Sequence, residues 1–197
     1  MIGLDNLDII YYNAPITLTY ATISLTALIL GKITRGASDG LFFSVYKSSP
    51  FSLLTYIRLI GHIFGHANIQ HYFINFMLIL LISPMLEYRY GSLYLLIMIL
   101  ITAAVTGLLF IIFSKRGTAA MGASGVVFMM ILLGSFINVE QGNIPITLII
   151  VAIMYIGKEF IGEAAKIFKT ENNGVAHAMH IFGGLCGAAF GVYLYLM

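Results

Sequence analysis

Four side chains from three distant stretches of the chain could do chemistry together: Ser124, His180, His71 and Asn75. Ser124 lies in Gly122-Ala-Ser-Gly125, at the start of an apolar run. A serine hydroxyl becomes a nucleophile when a base within about 3 Å takes its proton. A neutral imidazole, with an unperturbed pKa of about 6.5, suits that task. His180 is the first candidate, because Gly183 and Gly187 follow it at helical spacing and would let its helix approach that of Ser124. His177, one turn earlier, is the competing base. A carbonyl attacked by Ser124 would develop negative charge, which the unpaired N–H groups of a helix N-terminus favour. His71 and Asn75, one turn apart on one face, can add side-chain donors. One such donor is typically worth about 3–4 kcal/mol to a transition state. No acidic residue is placed to orient the histidine, so the set would be a Ser–His dyad.

These residues need elements to hold them, and the composition says of what kind. Of 197 residues, 60% are hydrophobic and 9% charged, against roughly 25% charged in soluble domains. Runs such as 17–30, 93–113 and 146–156 are apolar over much or all of the roughly 20 residues that a membrane helix needs. The expected fold class is all-α: a membrane bundle of six transmembrane helices at about 15–31, 69–86, 93–113, 124–139, 145–160 and 177–196. A single membrane domain over 1–197, with a core at about 15–196, is the simplest organisation, because no repeat or low-complexity tract divides the chain. Segments 87–92 and 140–144 read as tight turns. The first loop, about 32–68, is long and mixes Phe42, Phe43, Tyr46, Phe51, Tyr56 and Phe64 with basic residues. It is expected to lie half-sunk in the membrane interface. Segment 158–173 is amphipathic. No basic n-region precedes the first apolar run, which reads as a retained helix rather than a cleaved signal.

In this layout the second, fourth and sixth helices run the same way, so the polar residues at their N-terminal ends share one face. Each helix extends about 16–18 residues beyond them, or roughly 24–27 Å, within a hydrocarbon core roughly 30 Å thick. Polar groups a few Å below a membrane surface are tolerated where they line a wet cavity.

Other chemistries fit less well. All eight acids (Asp5, Asp8, Asp39, Glu87, Glu140, Glu159, Glu163 and Glu171) fall in the tail, in loops or at helix ends. Paired intramembrane carboxylates, as an aspartyl protease or proton-coupled transporter would use, are therefore not expected. His62 and His66 have the spacing of a zinc-protease motif, but Ile63 holds the glutamate position. No metal or cofactor is called for. The single cysteine, Cys186, excludes an internal disulfide, and a formal charge of +2 does not suggest nucleic acid as a partner. Each polar residue taken singly has an ordinary explanation: small residues pack membrane helices, and Asn75 could hydrogen-bond across helices. Their convergence on one level is what the catalytic reading explains.

Three stretches carry a family resemblance: His66-ANIQ-His71-YFI-Asn75, Gly122-Ala-Ser124-Gly125 and His180-IF-Gly183-GLC-Gly187. In this order they resemble the signatures of the rhomboid intramembrane serine proteases, and the resemblance covers about 15–196. It implies a six-helix rhomboid-like bundle, Ser124 as nucleophile, His180 as base, and His71 and Asn75 at the oxyanion site. His66 would belong to a first-loop hydrogen-bond network. The short Glu87-Tyr-Arg89-Tyr-Gly91 turn is also similar. Two departures stand out. Many members carry a tyrosine four residues after the serine, where this chain has Phe128, which keeps the ring but not the hydroxyl. The first loop also lacks the family's tryptophan–arginine pair, because the chain has no tryptophan.

The implied activity is cleavage of transmembrane or juxtamembrane segments of other membrane proteins, with the bilayer as surroundings. Segments carrying Gly, Ala or Ser near the membrane surface are expected targets, because a helix hides its backbone in hydrogen bonds until it unwinds. Helix five and segment 158–173 are candidates for a moving gate by analogy. A catalytically silent rhomboid-like protein that binds membrane clients is the alternative, and a small transporter comes third. The resemblance implies a prokaryotic plasma membrane with the active site outward. The basic residues point the other way: nine of ten (Lys32, Arg35, Lys47, Arg58, Lys115, Arg116, Lys158, Lys166 and Lys169) lie on the active-site face, and only Arg89 on the opposite one.

Overall fold

The computed structural model describes residues 13–137, 139, 146, 149, 150, 153, 154 and 174–196. Six α-helices make up most of it: α1 (Pro15–Ile33), α2 (Leu53–Gly61), α3 (Ile69–Tyr90), α4 (Ser92–Phe113), α5 (Ser124–Ser135) and α6 (Gly174–Leu196). Among the described residues, α1, α3, α4 and the Ala178–Leu196 part of α6 are long and apolar enough to cross a bilayer. With exposed apolar side chains such as Ile33, Leu81, Leu93 and Phe113 along them, they define an integral membrane protein.

The expected fifth helix, 145–160, lies largely outside the described residues, although positions 146, 149, 150, 153 and 154 are helical. The 140–144 turn, segment 158–173 and the acids Asp5, Asp8, Glu140, Glu159, Glu163 and Glu171 also lie outside them.

Helix α1 starts at Pro15, whose fixed φ suits the first helical position. Its open N–H groups are closed from 70 residues away: the Glu87 carboxylate accepts from Ile16 N at 2.8 Å and Thr17 N at 3.0 Å. The same carboxylate accepts from the Thr17 hydroxyl and the Ser92 hydroxyl. These bonds explain why the second expected helix overruns its boundary. The sequence places its end at 86 and a turn at 87–92, but α3 continues through Pro84 and Glu87 to Tyr90. The turn contracts to Gly91, whose φ of 87° suits a residue without a side chain.

The first loop is not featureless. Residues Asp39–Phe43 form one π-helical turn, and α2 follows. Between them β1 (Val45–Tyr46) pairs antiparallel with β2 (Ala119–Ala120), in the register Val45↔Ala120 and Tyr46↔Ala119. The fold is thus mostly helical rather than purely so, and this small ladder ties the first loop to the segment leading into α5.

Helix α5 sits at the centre, against α3, α4 and most extensively α6. Val126, Met129, Met130 and Leu133 pack with Phe76, Ile79 and Leu86 of α3 and with Leu95, Met98, Ile99 and Ala103 of α4. The sequence expects α5 to run to 139, yet it ends at Ser135. Phe136 N and Ile137 N bond to carbonyls three residues back, which tightens the last turn and stops the helix. Twelve residues rise about 18 Å, well short of a bilayer core. The serine at its start is half-buried.

Candidate active site

Ser124 is the first residue of α5, and Gly122 and Ala123 bring the chain to it. Gly122 has a φ of 140°, and a Cβ there would stand 2.8 Å from the His71 ring, so both backbone and space demand glycine. Its N–H donates to the His62 carbonyl at 2.9 Å. The next N–H, of Ala123, donates to His66 Nε2 at 3.4 Å. That bond makes Nε2 an acceptor, so the His66 proton is on Nδ1, which donates to the Phe64 carbonyl at 3.1 Å. Burial holds both loop histidines down, with the pKa of His62 and of His66 lowered to about 4. The first loop thus braces the two residues in front of the serine, Gly122 through the His62 backbone carbonyl and Ala123 through the neutral His66 imidazole.

His180 lies near the start of α6, and its Nε2 is 2.9 Å from Ser124 Oγ. The two helices meet with little between them. A Cβ added at Gly183 would overlap the Gly125 carbonyl, and one at Gly187 would overlap the Met129 carbonyl. Gly191 continues the stripe against the Phe136 ring. Phe128 stands beside the imidazole, with ring centroids 4.9 Å apart and planes tilted by 40°. His177 belongs to the first turn of α6, but its side chain lies outside the described residues.

On the other side of the serine, Asn68 caps α3 by accepting from His71 N at 2.8 Å. The cap sets the phase that puts His71 and Asn75 on the face toward α5. Asn75 Nδ2 donates to the His71 carbonyl at 2.9 Å, which leaves its second amide hydrogen for another partner. The His71 ring meets His66 edge-on at 5.0 Å.

His71, Asn75, Ser124 and His180 converge on one cavity of about 530 Å³. Ile74, Leu78, Val127, Phe128, Ile131 and Met154 form its apolar wall. Behind the serine a second recess, of about 50 Å³, is lined by His62, Thr106, Gly122, Gly125, Met179 and both Ser124 and His180. His62 and Thr106 are not marked as site residues by the sequence. There His62 reads only as half of a zinc motif, and Thr106 is one hydroxyl in a long apolar run; nothing local singles out either. Among the described residues no His, Cys, Asp or Glu side chains group as metal ligands.

A polytopic helical membrane protein with a hydroxyl–imidazole pair lining a cavity among its helices is the class that this fold and site define. The chain matches the Rhomboid domain family over residues 54–196. It belongs to the rhomboid family. No curated protein matches it significantly.

Proposed function

We propose that this protein is an intramembrane serine endopeptidase, with Ser124 as nucleophile and His180 as general base. The observation that carries this reading is the 2.9 Å contact between His180 Nε2 and Ser124 Oγ at the edge of the large cavity. His180 takes the Ser124 proton as the oxygen adds to a peptide carbonyl, then returns it to the departing amine. The developing oxyanion is held by N–H groups of the first turn of α5 and by His71 and Asn75. Water then cleaves the acyl–serine ester, with His180 again as base. The recess behind the dyad exceeds the roughly 10–15 Å³ that one water needs, and its His62 and Thr106 supply polar partners.

The substrates under this reading are transmembrane or juxtamembrane segments of other proteins, unwound at the cleavage point. The apolar wall from Ile74 to Met154 suits a hydrophobic residue beside the scissile bond. The chain is read as one rhomboid-like domain over 1–197, with six spans and a semi-submerged first loop. Helical residues between 146 and 154 support the fifth span. The family resemblance favours a prokaryotic plasma membrane with this face outward, against the distribution of basic residues.

The test is fluorophosphonate labelling of the purified chain in mild detergent. Wild type and His177→Ala should label, whereas Ser124→Ala and His180→Ala should not. Persistent labelling of Ser124→Ala would overturn the site. A folded wild type that never labels would favour a silent, client-binding protein instead.

A further inference from the structure

A second cluster of polar groups lies beside the site and takes no part in the dyad. Pairing of Tyr46 with Ala119 places the next residue, Lys47, beside the 115–118 turn. That turn is closed by the N–H and hydroxyl of Thr118, which both donate to the Lys115 carbonyl. The Lys47 ammonium donates to the carbonyl of Ile112, in the last turn of α4. Lys47, Lys115 and Arg116, all exposed, therefore gather where α4 gives way to β2. Behind them is Arg58, 4% exposed, its guanidinium 4.2 Å over the Tyr46 ring. Its Nη2 donates to the hydroxyls of Ser48 and Thr55, and its Nε is buried with no acceptor. Among the described residues no carboxylate is its partner. Its charge, buried behind the strand, adds to the positive field of the exposed cluster.

The surroundings say what the exposed cations meet. Phe51, Leu53 and Tyr56 of the first loop, and Ile112 and Phe113 at the end of α4, are exposed and apolar. In an integral membrane protein such side chains face acyl chains, so the neighbouring cations stand at headgroup level. Clustered Lys and Arg at that level attract anionic lipid. We propose that the Lys47–Lys115–Arg116 cluster, backed by Arg58, binds the phosphate of an anionic phospholipid headgroup. This gives the basic residues of the active-site face a role on whichever side of the membrane they lie. It does not depend on the proteolytic reading.

The test is native mass spectrometry of the intact chain in detergent, titrated with phosphatidylglycerol, with phosphatidylcholine or with inorganic phosphate. Phosphatidylglycerol should be retained in preference to phosphatidylcholine. Each cation near an anionic headgroup contributes about fivefold, so Lys47→Gln should weaken that retention about fivefold and Lys115→Gln with Arg116→Gln about 25-fold. Arg89→Gln, exposed at the far end of α3, should leave it unchanged. Equal retention of the two lipids, or undiminished phosphatidylglycerol binding in the double variant, would overturn the proposal. Displacement of the lipid by millimolar inorganic phosphate would show a free-anion site, and would overturn it too.

Discussion

Replacing Gly183 with alanine should separate α6 from α5 without removing any functional group. The new Cβ would stand 2.9 Å from the α-carbon of Gly125 and 2.8 Å from its carbonyl carbon, against 3.4–4 Å in ordinary van der Waals packing. It would also overlap the carbonyl oxygen. Moving the α-carbon from 2.9 Å out to 3.4 Å takes about 0.5 Å, and the deeper overlap with the oxygen takes more. His180 lies one turn before Gly183, so this displacement falls on the 2.9 Å approach of Nε2 to Ser124 Oγ. Misplacing reacting groups by about 1 Å can cost on the order of 100-fold in rate. Overpacking costs about 1–3 kcal/mol, which a folded chain can survive. The assay is the rate of fluorophosphonate labelling, with thermal unfolding in the same detergent. Gly183→Ala is expected to label about 100-fold more slowly while still unfolding cooperatively. Gly191→Ala is the control: it meets the Phe136 ring, which can rotate, two turns further from the dyad. A folded Gly183→Ala that labels at the wild-type rate would refute the idea that helix approach sets the dyad distance.

Glu87→Ala removes the acceptor of four donors at the start of α1 and α4 and should cost at least about 3 kcal/mol, seen as a lower melting temperature; an unchanged one would refute the capping role. Asn68→Ala should cost about 1 kcal/mol and slow labelling through His71; equal stability and rate would show the cap to be incidental. Acid should destabilise the fold through His62 and His66. Burial lowers both to about 4, whereas unfolded histidine titrates at about 6.5. The unfolded chain thus binds more protons below that pH, so the stabilisation is complete above about 6.5 and is lost as pH falls toward 4. Melting temperature followed from pH 7.5 to 4 should fall, and less steeply in His62→Gln. Parallel curves would refute the assignment to His62.

The membrane class was legible because hydropathy is a local property: long runs with almost no charge leave few alternatives. Ser124, His71, Asn75 and His180 could be named as candidates, each a polar residue at the start of an apolar run, and the glycine spacing after His180 marked the closely packed face of α6. The end of α5 was not legible. Residues 125–133 are apolar on all sides, and Gly134, Ser135 and Asn138 beyond them are residues that membrane helices also carry, so they do not mark where the hydrogen bonds change partner. The same uniformity hid Thr106.

The sequence by itself determined that the chain belongs in a membrane and named the side chains proposed to react. These follow from composition and from spacings of a few residues. Only the tertiary structure decided that His180 reaches Ser124 across 56 positions, that Glu87 closes α1 from 70 positions away, and that the first loop meets the approach to α5 through β1, β2, His62 and His66. Helical periodicity fixes which face a residue occupies. Which faces meet is set by long-range packing and by the need of each buried N–H to find an acceptor.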